Sequence, residues 1–129
     1  MGGSKRAGTA GLAIAAWLAA DDVAASELVM FGGRGCAWCA RFDAEIAPVY
    51  AKTEEGRRAP LRRVELEAGT PDGLVLAAPV RFTPTFVLVD EGREVGRIQG
   101  YPGEDFFWGL LGTLLERLPA EPARGAGEG

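Results

Sequence analysis

The chain has 129 residues, 47% apolar and 25% charged, with a formal charge of −4 and no histidine, which bounds it to one globular domain with a single modest core. The acidic balance argues against a phosphate-binding surface, and so against nucleic acid as a partner. Without imidazole there can be no Ser-His or Cys-His nucleophile pair and no His-ligated zinc, so thiols, carboxylates, Arg/Lys or the backbone must carry any chemistry.

Residues 1–25 read as a signal peptide. Lys5 and Arg6 form a short basic region, Ala7 to Ala20 is an apolar run, and Val23-Ala24-Ala25 supplies small residues for cleavage before Ser26. The run is shorter than the ~20 residues a permanent membrane helix needs. The alternative is an uncleaved anchor, against which Asp21 and Asp22 stand. No cysteine stands at the cleavage site, so a lipid anchor is not expected. An exported, soluble protein is the expectation.

Glu27 to Phe31 is an apolar run with a valine, the pattern of a buried strand. Gly32-Gly33-Arg34-Gly35 follows as a loop. From Cys36 onward Phe42, Ile46, Val49 and Tyr50 recur at helical spacing, predicting a helix from about Ala37 to Lys52 that Pro48 kinks or divides. Glu54 to Pro60 reads as a polar loop and Leu61 to Leu66 as a second strand. Gly69 to Gly73 is a turn, and Leu74 to Ala78 is expected as a short helix stopped at Pro79. Phe86 to Val89 forms a third strand, Asp90-Glu91-Gly92-Arg93 a hairpin turn, and Glu94 to Ile98 a fourth strand. Asp105 to Leu118 is the most strongly patterned helix, with Phe106, Phe107, Leu110, Leu111, Leu114, Leu115 and Leu118 on one broad face. Residues 119–129, rich in Pro, Gly and Ala, are expected as a disordered tail. The order is βαβ, a short helix, then ββα: an α/β fold with a four-stranded mixed sheet flanked by helices.

Both cysteines of the chain, Cys36 and Cys39, lie between the first strand and its helix. A bridge between them would close a tiny loop and restrict little of the unfolded chain, so a purely stabilising role is disfavoured. A redox pair and a soft-metal site remain.

Strand, glycine loop, Cys-x-x-Cys at a helix start, a proline within that helix, and Thr83-Pro84-Thr85 opening a later strand together resemble the thioredoxin superfamily. Residues 27–118 carry the likeness. Cys39-Ala40-Arg41-Phe42, Pro71-Asp72-Gly73-Leu74, Phe82 to Leu88 and Gly100 to Trp108 are similar to the small periplasmic thioredoxins encoded with bacterial sulfur-oxidation (Sox) systems. The resemblance implies a thioredoxin-like domain over 26–118 and catalytic Cys36 and Cys39. It implies no cofactor beyond the Cys36–Cys39 disulfide and no metal. Cys36 would be the attacking thiol, favoured as thiolate by the helix N-terminus, with Arg34 a candidate for added positive charge. Cys39 would then displace the partner. Pro84 would be a cis-proline, and Thr83, Pro84 and Trp38 would contact the substrate protein. Trp38 could instead pack over the active-site loop.

Two departures stand out. The Cys-Gly-Pro-Cys of the better-known thioredoxins is Cys-Ala-Trp-Cys here, and their buried aspartate six residues before the first cysteine is Met30. Water, Asp43 and Glu45 are the alternatives as base for Cys39. Tyr101 and Trp108 read as core or edge residues. The implied function is a periplasmic reductase, monomeric, that keeps the cysteine of a Sox sulfur carrier reduced with electrons from a membrane thiol transporter. Alternatives are an oxidant or isomerase of folding proteins, and a Cu(I) carrier using Cys36 and Cys39 as ligands, which the scarcity of Met and lack of His disfavour.

Overall fold

The computed structural model describes residues 25–120. The expected signal peptide, except for Ala25, and the expected tail beyond Ala120 lie outside the described residues. Strand β1 (Ser26–Gly32) occupies an inner position of a four-stranded sheet ordered β2-β1-β3-β4. It runs parallel to β2 (Leu61–Glu65) and antiparallel to β3 (Thr85–Asp90), which pairs antiparallel with β4 (Arg93–Gln99). Its continuous apolar run follows from burial on both faces. Leu28 and Met30 join one core cluster, Val29 and Phe31 the other, and none of the four exceeds 2% exposure. Each such side chain stabilises the fold by about 1.5–3 kcal/mol relative to exposure.

Three helices serve the first cluster. Helix α1 (Ala37–Glu45) contributes Cys39 and Phe42, and α2 (Ala47–Tyr50) contributes Tyr50. The two are separated at Ile46, with Pro48 in the first turn of α2, where its missing N–H costs nothing. Helix α4 (Glu104–Leu115) buries Phe107, Leu111, Leu114 and Leu115, and the chain then turns so that Leu118 is also buried. The second cluster is covered by Leu66, Leu74, Leu76 and Val80. These come from the irregular segment between β2 and β3.

Two expectations from the sequence need correction. The polar stretch after Thr53 is a short helix, α3 (Glu54–Arg58). Its signal is capping rather than periodicity: Thr53 Oγ1 accepts from the Gly56 N–H at 2.9 Å, acids occupy the first turn and arginines the last. Leu74 to Ala78 is not helical. Val75 instead bridges Arg93 on β4, the Val75 N–H donates to the Gly92 carbonyl at 2.7 Å, and the Ala77 N–H donates to Glu94 Oε1 at 2.7 Å. A neighbouring strand satisfies the backbone there, so no helix is required. The broad apolar face of α4 is only partly buried: Phe106 is 71% and Leu110 45% exposed. The sheet covers a narrower stripe than the seven apolar positions could fill.

The hairpin is as expected, with Glu91 (φ 51°) and Gly92 (φ 84°) both in the left-handed region that a tight two-residue turn requires.

Phe107→Ala should lower unfolding free energy by about 3–5 kcal/mol, whereas Phe106→Ala on the adjacent position should change it by no more than about 0.5 kcal/mol. Urea denaturation of the two variants measures the contrast. Equal losses would mean that α4 packs on a different face.

Candidate active site

The site begins where β1 ends. Gly32 and Gly33 leave the sheet, Gly35 turns the chain at φ 67°, and Cys36 starts the helix. Cys36 is the N-cap of α1 and half-buried, and its sulfur accepts the Cys39 N–H at 3.1 Å. The first turn holds no acidic residue to offset the positive helix end. Cys39 lies one turn deeper and is 8% exposed. The two are joined by a disulfide with Cα atoms 5.2 Å apart.

Two features fix this geometry from below. A side-chain Cβ on Gly32 would stand 3.5 Å from Cys39 Sγ, so the end of β1 lies directly against the inner sulfur. Phe42, one turn after Cys39, is fully buried against Phe86, with ring centroids 4.8 Å apart, and Phe107 at 5.4 Å.

The loop before β3 closes the site from the other side. The Thr83–Pro84 bond is cis, Pro84 is buried and Thr83 half-buried. A Cβ on Gly33 would stand 3.7 Å from the Thr83 methyl carbon, which places Thr83 beside the glycine loop. Both ladders of β3 begin at Thr85, leaving Thr83 outside them. The Pro84 carbonyl accepts the Gly100 N–H at 2.7 Å, tying this loop to the Gly100–Gly103 segment.

Trp38 is 53% exposed, with the Arg41 guanidinium 5.5 Å from its ring centroid. Arg41 also pairs with Glu45 at 3.0 Å, and Glu45 accepts the Tyr101 hydroxyl at 2.6 Å. The Tyr101 bond, then Arg41, hold the Glu45 carboxyl below the usual range, while burial and then Glu45 push the Tyr101 phenol up. Tyr101 is thus a core residue that also anchors α1, a role the sequence did not signal. Trp108 stacks on Tyr50 at 6.0 Å.

Other members of the surroundings were equally hidden in the sequence. Phe82 is 58% exposed immediately before Thr83. Arg63 on β2 donates to Asp43 at 2.8 Å and to the Met30 sulfur at 3.7 Å, a pairing across elements that no local spacing encodes. Arg34 is exposed on the loop. Among the described residues, no group of three or more His, Cys, Asp or Glu is placed to hold a metal ion.

A disulfide at a helix N-terminus, closed over one buried and one accessible sulfur beside a Thr-Pro turn, defines a thiol–disulfide oxidoreductase that works through its own cysteines. The family model described as a thioredoxin-like domain matches residues 24–115. The chain belongs to this thioredoxin-like family. Among solved structures it is similar to the periplasmic thioredoxin SoxS from Paracoccus pantotrophus, at 54% identity over 71% of this chain and 97% of that one, with a TM-score of 0.70. It shares its fold with a thioredoxin-fold protein from Helicobacter pylori, at 20% identity over 68% of this chain and 67% of that one, TM-score 0.53. Thioredoxin from Fasciola hepatica matches at 22% identity over 70% of this chain and 81% of that one, TM-score 0.52. A search of the curated proteins returns no match.

Because the folded-state pKa of Glu45 is depressed, its contribution to stability is present above the unfolded value, near 4.5, and is lost as pH falls through the folded one. Tyr101→Phe should therefore shrink the stability difference between pH 7 and pH 3. Urea midpoints at the two pH values measure it, and an unchanged difference would mean that the hydroxyl does not tune Glu45.

Proposed function

We propose that this protein is exported, with residues 1–25 as signal peptide and 26–118 as the working domain, and acts in the periplasm as a monomeric disulfide reductase. The observation carrying this reading is the placement of the two sulfurs: Cys36 half-buried at the N-cap and Cys39 buried behind it. Unpaired N–H groups and the helix dipole favour a thiolate at the first position, lowering its pKa from roughly 8.5. Burial disfavours ionisation of the second until it is needed. Cys36 attacks the partner disulfide, and Cys39 then attacks Cys36 Sγ and releases the partner reduced.

Trp38, Phe82, Thr83 and Pro84 form the docking rim. The two exposed rings offer apolar contact, and Thr83, outside the β-ladders, offers backbone groups to an extended partner segment. The similarity to a periplasmic thioredoxin SoxS supports a sulfur-oxidation role. On that reading the partner is the sulfur-carrier protein of a Sox system, carrying a disulfide or modified cysteine. Electrons arrive from a membrane thiol transporter.

Cys39→Ser, expressed with its leader, should accumulate a covalent complex through Cys36 that thiol reductant dissolves. Recovery of such a complex only from Cys36→Ser would reverse the two roles. The Cys36–Cys39 potential, measured against glutathione, should fall near the roughly −270 mV of thioredoxin, and a value near −120 mV would mark an oxidant instead.

A further inference from the structure

Cys39 is buried, yet exchange requires its sulfur to lose a proton in one direction and regain it in the other. At the β1 position facing it stands Met30, which cannot accept one. A cleft of about 140 Å³ opens on Cys39 between α1 and β2, with room for several waters. Its charged groups are Asp43 from α1 and Arg63 and Glu65 from β2; β1 contributes Met30 and Gly32 and the loop after it Gly33, none ionisable. Glu45 is not on this cleft, being engaged by Tyr101 and Arg41.

We propose that Asp43 is the proton acceptor and donor for Cys39, acting through water in this cleft, with Arg63 positioning its carboxylate. This rests on the exchange reading above. Asp43 follows Cys39 by four residues, so both side chains leave α1 on one face. Arg63 is held at two points, donating through Nη2 to Asp43 Oδ1 at 2.8 Å and through Nη1 to Met30 Sδ at 3.7 Å. The carboxylate is thereby held at an opening onto Cys39 that is lined by ionisable groups. In the resolving step the Cys39 thiol passes its proton through water to Asp43. The resulting thiolate attacks Cys36 Sγ, the Cys36–Cys39 bond forms, and the bond from Cys36 to the partner breaks. The partner's sulfur leaves with the bonding pair as thiolate, so the partner is reduced and the cysteine pair oxidised. Asp43 then gives its proton to solvent or to the departing thiolate.

The test uses the reduced full chain mixed rapidly with oxidised glutathione. Formation of the Cys36–glutathione adduct and its resolution by Cys39 are followed separately across pH. Asp43→Asn should leave adduct formation unchanged and slow resolution about tenfold or more near pH 7. The deficit should shrink above about pH 9, where the Cys39 thiol ionises unaided. Asp43→Glu should recover most of the rate. Should Asp43→Asn not fold, Asp43→Ser is read the same way. A wild-type profile, a deficit independent of pH, or a shift produced by Glu65→Gln and not at Asp43 would overturn the proposal. Absence of any Cys36 adduct in Cys39→Ser would overturn the exchange reading itself, and this assignment with it.

Discussion

Phe42 lies one turn beyond Cys39 with its ring against Phe86 of β3 and Phe107 of α4, and Tyr101 closes the cluster at its edge. Helix α1 has only one other buried residue, Cys39 itself. The position of the helix N-terminus, and with it the disulfide, therefore depends chiefly on how this aromatic side chain is seated, with the Tyr101–Glu45 hydrogen bond as a second tie at the helix's far end. Truncation of such a residue costs about 3–5 kcal/mol, a large fraction of the stability of a domain this size. Here it would also release the sulfurs from the end of β1.

From that anchor the site divides into two environments separated by one helical turn. Cys36 takes the N-cap, where backbone donors face it, and Cys39 takes the core side, against Gly32 and Met30. Such an asymmetry lets two identical thiols play successive parts. The Thr83–Pro84 turn is held to the same frame through the Pro84–Gly100 hydrogen bond. The next residue, Tyr101, returns to α1 through Glu45. The Gly100–Gly103 segment thus joins the two halves of the site, although none of its residues is a sulfur or a docking group.

Much of this was readable from residue order. Glu27 to Phe31 as a buried strand, the cysteines at the start of the next helix, the division of that helix near Pro48 and the Glu91-Gly92 turn all rest on local chemistry, which local sequence records. Thr83-Pro84-Thr85 gained meaning only through family resemblance. What stayed hidden is tertiary. The Leu74 to Ala78 stretch has apolar residues compatible with a helix, and it is the neighbouring β4 that draws it instead into a bridge at Val75. The Phe106 and Leu110 positions continue an apolar stripe that the sheet is too narrow to cover. Arg63 reaches Asp43 because β2 lies beside β1, a fact of topology. The Thr53 cap could have been found, since a Thr followed by acids and then arginines signals a helix start whatever the hydrophobic pattern.

Everything above depends on the two sulfurs being chemically unequal. Their ionisation in the reduced protein tests that most directly, measured as the pH dependence of alkylation with each modified cysteine identified by mass. Cys36 should react first, with a pKa well below the roughly 8.5 of a free thiol, and Cys39 should stay protected until higher pH. Alkylation of Cys39 first, or of both cysteines with the profile of a free thiol, would contradict the account.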